Sequence, residues 1–171
     1  HIMLEGEKKS IIPNYGSLME LIESADLKAE VPHDMLEWIW IHMAINAAVT
    51  SSAARAGKID NPKQLAIDLM SDSHALSIAV KTIRETVTVV KSRGINLRLY
   101  KNELLPYRIP AAIAGIIMKR MFTRNELTSR IMTLHNDVND IMYGCKSVYE
   151  AGKQKNLDLS LFYSNMEKIL N

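Results

Sequence analysis

The chain has 171 residues, a formal net charge of +2 and 47% apolar residues, which suffices for one domain with a substantial core. Its seven glycines stand singly, so neither common glycine-rich phosphate-binding loop, G-x-G-x-x-G or G-x-x-x-x-G-K-S/T, occurs. A self-contained nucleotide-binding enzyme of these two designs is excluded, and the even spread of 21 basic and 19 acidic residues argues against a nucleic-acid partner.

The first predicted helix is short and amphipathic. Residues 17–20 have the form of a capping box, which predicts a helix from Ser17 to about Ala25. Residues 35–56 follow a proline-containing break, are apolar on every side and precede Gly57, which is typical of a helix end. We expect a central helix about 30 Å long, buried on all sides.

Capping residues mark the predicted helices of the rest of the chain. Asn61 followed by proline, then Asp72 and Ser160, have the form of helix starts. The predicted helices run over 62–70, 73–93, 111–121, 126–151 and from Ser160 onwards, with Gly94 and Gly152 ending two of them. Residues 100–109 contain a proline and are expected to be irregular. The predicted class is all-α, a bundle of about eight helices around the central one.

A membrane-spanning role for the central helix is not expected. Residues 38–54 carry no formal charge and reach the lower length limit for a spanning helix. Polar side chains nevertheless lie within this stretch, namely His42, Asn46, Thr50, Ser51 and Ser52. Because polar groups at bilayer depth carry a large energetic penalty, the composition favours a helix inside a bundle.

The cysteine and histidine residues limit the disulfide and metal chemistry that the chain can support. The single cysteine, Cys145, cannot form an internal disulfide, so we expect a core residue in a reducing, cytoplasmic protein. Apart from His1, the histidines lie far apart at 33, 42, 74 and 135, and no metal site is predicted. The chain opens with His1-Ile2-Met3, and no basic region followed by an apolar stretch appears near its start. We therefore expect no targeting signal there and a chain that begins within a longer protein.

Three polar residues on the central helix form a ladder. His42, Asn46 and Thr50 are spaced by four, so each lies about one turn from the next on one face. Each of these side chains would reduce the stability of the fold by about 1–3 kcal/mol if it were buried in a core without a hydrogen-bond partner. The ladder is therefore either a satisfied network inside the bundle or the wall of a cleft, where a histidine can transfer a proton near neutral pH.

The order of several short motifs resembles one known family. These motifs are Gly6-Glu7, Asp34-Met35, Trp40-x-His42-x-x-x-Asn46-x-x-x-Thr50, Arg84-Glu85-Thr86-Val87, Arg93-Gly94-Ile95 and Lys155-Asn156-Leu157. Together they resemble the carboxy-terminal helical domain of the ketopantoate reductase family, NADP-dependent oxidoreductases whose helical half resembles that of 6-phosphogluconate dehydrogenase. The resemblance covers most of the chain.

The resemblance implies a division of labour. Residues 1–16 would be the tail of a preceding dinucleotide-binding domain, or a linker, and residues 17–171 would form the substrate-binding and dimerisation domain. NADP would be bound mainly by the preceding domain, with a small keto compound as the substrate and a second copy of the chain as a partner. The alternative is a non-catalytic helical module for interaction or oligomerisation.

The resemblance also implies site residues. The family's motif is W-x-K-x-x-x-N-x-x-x-N, so His42 stands where the lysine donates a proton, and Thr50 replaces the second asparagine. His42 would be the catalytic acid, and Asn46 and Thr50 would hold a substrate other than ketopantoate, such as another 2-keto acid or a ketone. A relative of the family that has lost activity fits these departures equally well.

Counting back from Lys155-Asn156-Leu157 gives the remaining substrate-binding residues that the resemblance implies. Asp140 falls at the position of a glutamate that binds substrate in the family, and Thr128, with Ser129 beside it, falls at the position of a serine. Solvated surface positions for these residues are an equally open interpretation. Glu85 is expected to form an ion pair or to lie on the helix surface.

Overall fold

A computed structural model describes residues 2–55, 59–134 and 137–170, and within them the class is all-α, as predicted. Two short strands and nine α-helices occur in these residues. Their bounds are β1 Ile2–Met3, α1 Tyr15–Ser24, β2 Ala29–Glu30, α2 Met35–Ala53, α3 Pro62–Ser71, α4 Ser73–Ser92, α5 Lys101–Leu104, α6 Ala111–Arg124, α7 Glu126–Met132, α8 Val138–Gln154 and α9 Ser160–Leu170, with a 3-10 turn at Leu105–Tyr107. The chain divides into two compact units, residues 1–41 and 42–171.

The smaller unit contains a parallel strand pair joined through a helix. Ile2 pairs with Ala29 and Met3 pairs with Glu30, while α1 lies between the strands in sequence. The predicted capping box is wrong, because α1 begins at Tyr15 after a left-handed Asn14 (φ 53°) and Ser17 lies inside it. The predicted division at residue 16 falls within α1, and the role of residues 1–16 as a linker or tail stays a prediction.

An ion pair lies at the start of α2 in this smaller unit. The Lys9 ammonium lies 2.7 Å from the Asp34 carboxylate, and the hydrogen bond between them lowers the pKa of Asp34. The same carboxylate accepts a hydrogen bond at 3.0 Å from the backbone N–H of Glu37. Asp34 therefore caps the first turn of α2, which explains why the helix begins at Met35.

The long apolar helix is present, although it is shorter and less buried than predicted. α2 ends at Ala53, and the predicted last residue and cap, Ala56 and Gly57, lie outside the described residues. Ala44 and Ala48 are fully buried, whereas Asn46 is exposed. The expectation of burial on all sides is wrong. The side of α2 that carries Ala44 and Ala48 is buried, whereas the side that carries Asn46 is exposed. Within the described residues, no helix is long and apolar enough to cross a membrane.

The centre of the larger unit is α4, which packs against α3, α6, α8 and α9. Its two predicted boundaries are confirmed: Asp72 Oδ1 accepts a hydrogen bond from His74 N at 2.8 Å, and Gly94 follows the helix with a φ of 86°. The preceding cap is confirmed as well, since Asn61 Oδ1 accepts from Gln64 N at 3.1 Å. The spacing of apolar residues predicts one buried face of α4 made of Leu76, Ala79, Val80, Ile83, Val87 and Val90. All of them are buried except Val87, which is half-buried.

Three predictions for the second half need correction. Residues 101–107 are helical, and Arg84 on α4 donates hydrogen bonds to the carbonyl groups of Tyr107 and Ile109 at the end of this segment. The single helix predicted over 126–151 is two helices, with Asp137 capping the second through Asn139 N at 2.8 Å. Gly152 does not end a helix; it lies inside α8, where a side chain would collide with Leu159.

Glu85 has a structural task that its sequence position did not suggest. Its carboxylate oxygens accept hydrogen bonds from the backbone N–H groups of Leu161, at 3.2 Å, and Phe162, at 2.9 Å. Both groups belong to the first turn of α9, whose N–H groups have no partner inside the helix. Glu85 on α4 therefore caps α9, in place of the ion pair or surface position expected for it.

Replacing this cap should weaken the fold. For Glu85→Ala we expect the free energy of unfolding to fall by about 1–2 kcal/mol, the cost of losing a helix cap. Urea denaturation followed by circular dichroism measures it. The control is Glu126→Ala, which removes an exposed ion pair with Arg130 and should change stability by about 0.5 kcal/mol or less. Equal losses in the two variants would contradict the capping role.

Candidate functional site

A cleft of about 500 Å³ lies in the larger unit. Residues of α2, α3, α7 and α8 line it. The α3 side is apolar and is formed by Pro62, Leu65, Ala66 and Leu69. This volume falls in the range of natural small-molecule sites, so we take the cleft as the candidate functional site.

Two members of the predicted polar ladder line this cleft. Asn46 is exposed and Thr50 is half-buried, one turn apart on α2. Asp140, near the start of α8, lines the same cleft. An amide, a hydroxyl and a carboxylate thus converge from sequence positions about ninety residues apart. For Asn46 and Thr50, the structure favours the cleft over an internal network.

The other three predicted site residues are not among the described residues that line the cleft. His42 lies one turn before Asn46 on α2 and is half-buried. Thr128 and Ser129 lie in the first turn of α7, where Ser129 Oγ donates to the carbonyl of Phe122 at 2.6 Å. The Thr128 N–H donates to the Asn125 side chain, so both residues take part in the turn between α6 and α7. Their roles in a site stay predictions.

Cys145 is a cleft residue that the residue pattern did not single out. It is 1% exposed, in agreement with its predicted core position. Burial raises the pKa of its thiol from 9.0 to about 12, and a hydrogen bond with the Thr50 side chain lowers it only in part. The thiol is therefore protonated near neutral pH and acts as a neutral hydrogen-bonding neighbour of Thr50.

The residue pattern also does not identify the side chains that form the apolar walls of the cleft. Leu65 and Leu69 share one face of α3, as the spacing predicts, but spacing alone does not tell a core face from a cleft wall. On the other side, Ile131, Met132 and Tyr143 come from α7 and α8. Only after the helices pack do these side chains meet Asn46 and Thr50.

The cleft is suited to binding by shape and hydrogen bonds. Among the described lining residues, Asp140 is the only one with a formal charge. The described residues contain no group of three or more side chains able to hold a metal ion. The arrangement can enclose the apolar part of a ligand and offer an amide, a hydroxyl and a carboxylate to its polar groups.

No family model matches the chain, and neither a curated protein nor a solved structure matches it significantly.

The burial of Cys145 makes it a quantitative probe of the cleft. At pH 8 we expect native protein to react with iodoacetamide about a thousand times more slowly than an unfolded thiol, because the pKa rises from 9.0 to about 12. Mass spectrometry over time measures the rate.

The same burial predicts a pH dependence of stability. Since the pKa of Cys145 is higher in the folded protein than in the unfolded chain, the buried thiol contributes fully to stability below about pH 9, and this contribution declines as the pH rises toward 12.

The matched control moves the thiol two residues along α8. In the double variant Tyr143→Cys, Cys145→Ala, the thiol occupies an exposed position and should react at the rate of an unfolded thiol. Equal rates in the wild type and this variant would contradict the burial of Cys145.

Proposed function

We propose that the chain is the carboxy-terminal substrate-binding and dimerisation domain of an NADP-dependent oxidoreductase, similar to the ketopantoate reductase family, that reduces a 2-keto acid or a related ketone. The observation that carries this proposal is the convergence of Asn46, Thr50 and Asp140 on one cleft. The resemblance to the family implies that these three residues bind substrate, and they lie on two different helices.

The smaller unit supports the proposed preceding domain, although β2 at Ala29–Glu30 lies beyond the predicted boundary at residue 16. Parallel strands joined by a helix occur almost only in larger sheets that are covered on both faces. A pair of two-residue strands, such as β1 and β2, is too short to be stable alone. This supports a preceding dinucleotide-binding domain whose sheet β1 and β2 would extend.

The chain itself does not fit a dinucleotide. Its glycines stand singly, so the turn that brings backbone N–H groups against a pyrophosphate is missing. The cofactor is accordingly assigned to the preceding domain, and when bound it supplies the hydride. No residue of this chain is assigned to it.

The proposed roles of this chain's residues concern the substrate. His42 would act as the general acid, donating a proton to the carbonyl oxygen and regaining it from solvent. The Asn46 amide and the Thr50 hydroxyl would orient the substrate through hydrogen bonds, and Asp140 would accept one from a substrate hydroxyl. The apolar walls would exclude water from the rest of the substrate.

Two substitutions in the protein with its dinucleotide-binding domain test these roles. His42→Ala should lower kcat about 100-fold to 10,000-fold, because it removes the general acid. Asn46→Ala should mainly raise KM, since it removes a substrate contact. Steady-state NADPH oxidation measures both, and His74→Ala, at an exposed histidine of α4, should change neither.

Two results would contradict the proposal. One is unchanged turnover in both His42→Ala and Asn46→Ala. The other is tight NADPH binding by residues 1–171 alone, which would contradict the assignment of the cofactor to the preceding domain.

A second candidate function rests on one exposed face of α6. Its apolar side chains Ile113, Ile116, Ile117 and Met121 are between 42% and 61% exposed and lie at helical spacing. A contiguous apolar face of this kind is typical of a protein interface. It favours self-association, either as the dimer interface of the proposed enzyme or as the main function of a non-catalytic module.

Charges on this face should weaken the dimer. For Ile116→Glu, Ile117→Glu we expect the dissociation constant to rise at least about a hundredfold, because two carboxylates would be buried without partners. Sedimentation equilibrium measures it. The control is Ile11→Glu, at a residue that is 97% exposed in the smaller unit. An unchanged association state would contradict a role of α6 in dimerisation.

A further inference from the structure

The composition of the cleft restricts what it can bind. The α3 wall, from Pro62 to Leu69, presents only apolar lining groups. Val49 and Ala53 of α2 lie next to this wall and pack against the cluster around Leu69. An apolar part of a ligand would therefore lie along α3, where it gains free energy in proportion to the area that it buries.

The polar groups lie on the other side. Thr50 and Cys145 of α8 line the same cleft, and the Thr50 side chain acts on the Cys145 thiol, so the polar ladder lies next to α8. The carboxylate of Asp140 lies on the same helix. A ligand carboxylate in this cleft would meet a like charge, whereas a carbonyl or hydroxyl group would find hydrogen-bonding partners.

The size of the cleft also favours a ligand with an extended apolar part. Its volume of about 500 Å³ belongs to sites that enclose drug-sized ligands, and a small keto acid would leave much of the apolar wall uncovered. An uncovered apolar wall contributes nothing to the affinity. A longer apolar ligand makes use of it.

We infer that this cleft selects an uncharged carbonyl compound with an extended apolar body, with the carbonyl near Asn46 and Thr50 and the body along α3. The inference rests on the proposed function, because it specifies the substrate class of the same site. Leu65 is then a specificity-determining residue, and Asp140 discriminates against anionic keto acids.

Two matched series of probes test the inference on the 171-residue chain. The first contains straight-chain methyl ketones of increasing length, and the second contains 2-keto acids with the same carbon numbers. Titration followed by calorimetry or NMR should give ketone dissociation constants that fall about fourfold per added methylene. Each keto acid should bind about tenfold or more weakly than its matching ketone. Equal or tighter keto-acid binding, or affinity independent of length, would overturn the inference.

Substitutions test which residues determine the preference for longer ligands and the discrimination against keto acids. Leu65→Asn should reduce the gain per methylene, whereas Ile67→Asn, on the same helix but outside the lining, should leave it unchanged. Asp140→Asn should strengthen keto-acid binding and change ketone binding less than about twofold. A Leu65→Asn series identical to the wild type would overturn the placement of the apolar body along α3.

The variant Asn46→Ala separates this inference from the proposed function. If ketone affinity still rises with length but does not respond to Asn46→Ala, the substrate class stands and the polar anchoring of the proposed function fails. If short keto acids bind best and Asn46→Ala weakens them, the proposed function stands and the inferred substrate class is overturned.

Discussion

Small side chains allow α2 to approach α4 closely in the larger unit. Ala44 and Ala48 are fully buried on this side of α2, and the Ala44 carbonyl accepts a hydrogen bond from Thr86 Oγ1 at 2.9 Å. Ser52 Oγ donates to Thr82 Oγ1 at 3.2 Å, with both residues buried. Rotation of α2 about its axis would leave these buried polar groups without partners and open cavities beside the alanines. The contact therefore sets the rotation of α2, and with it the set of side chains that face the cleft.

The cleft is a consequence of that rotation. With Ala44 and Ser52 turned toward α4, Asn46 and Thr50 lie on another side of the helix, where Thr50 meets Cys145 of α8. Val49 and Ala53 reach the cluster that contains Leu69 of α3. The same helix thus contributes a polar edge beside α8 and an apolar edge beside α3. This asymmetry is the basis both of the proposed substrate contacts and of the inferred preference for an uncharged, apolar carbonyl compound.

Helix starts were predictable where the cap is local. Asn61 and Asp72 each accept a hydrogen bond from an N–H group two or three residues further on, so a few neighbouring residues contain the whole signal. Ser17 had the same type of signal, yet α1 begins two residues earlier, after the left-handed Asn14. The break between α7 and α8 was missed because an apolar periodicity can continue across two helices that do not share an axis. Asp137 marks this break, because its side chain accepts hydrogen bonds from the N–H groups of Asn139 and Asp140.

The sequence by itself determined the helical class, the confirmed caps and the one-turn spacing of His42, Asn46 and Thr50, because these depend on residues a few positions apart. Only the tertiary structure decided that Asn46 and Thr50 line a cleft, that Asp140 joins them, and that Glu85 caps a helix 76 residues further along the chain. The physical reason is the range of the interactions. Hydrogen bonds within a helix connect near neighbours, whereas the apposition of distant helices depends on how all their side chains fit together.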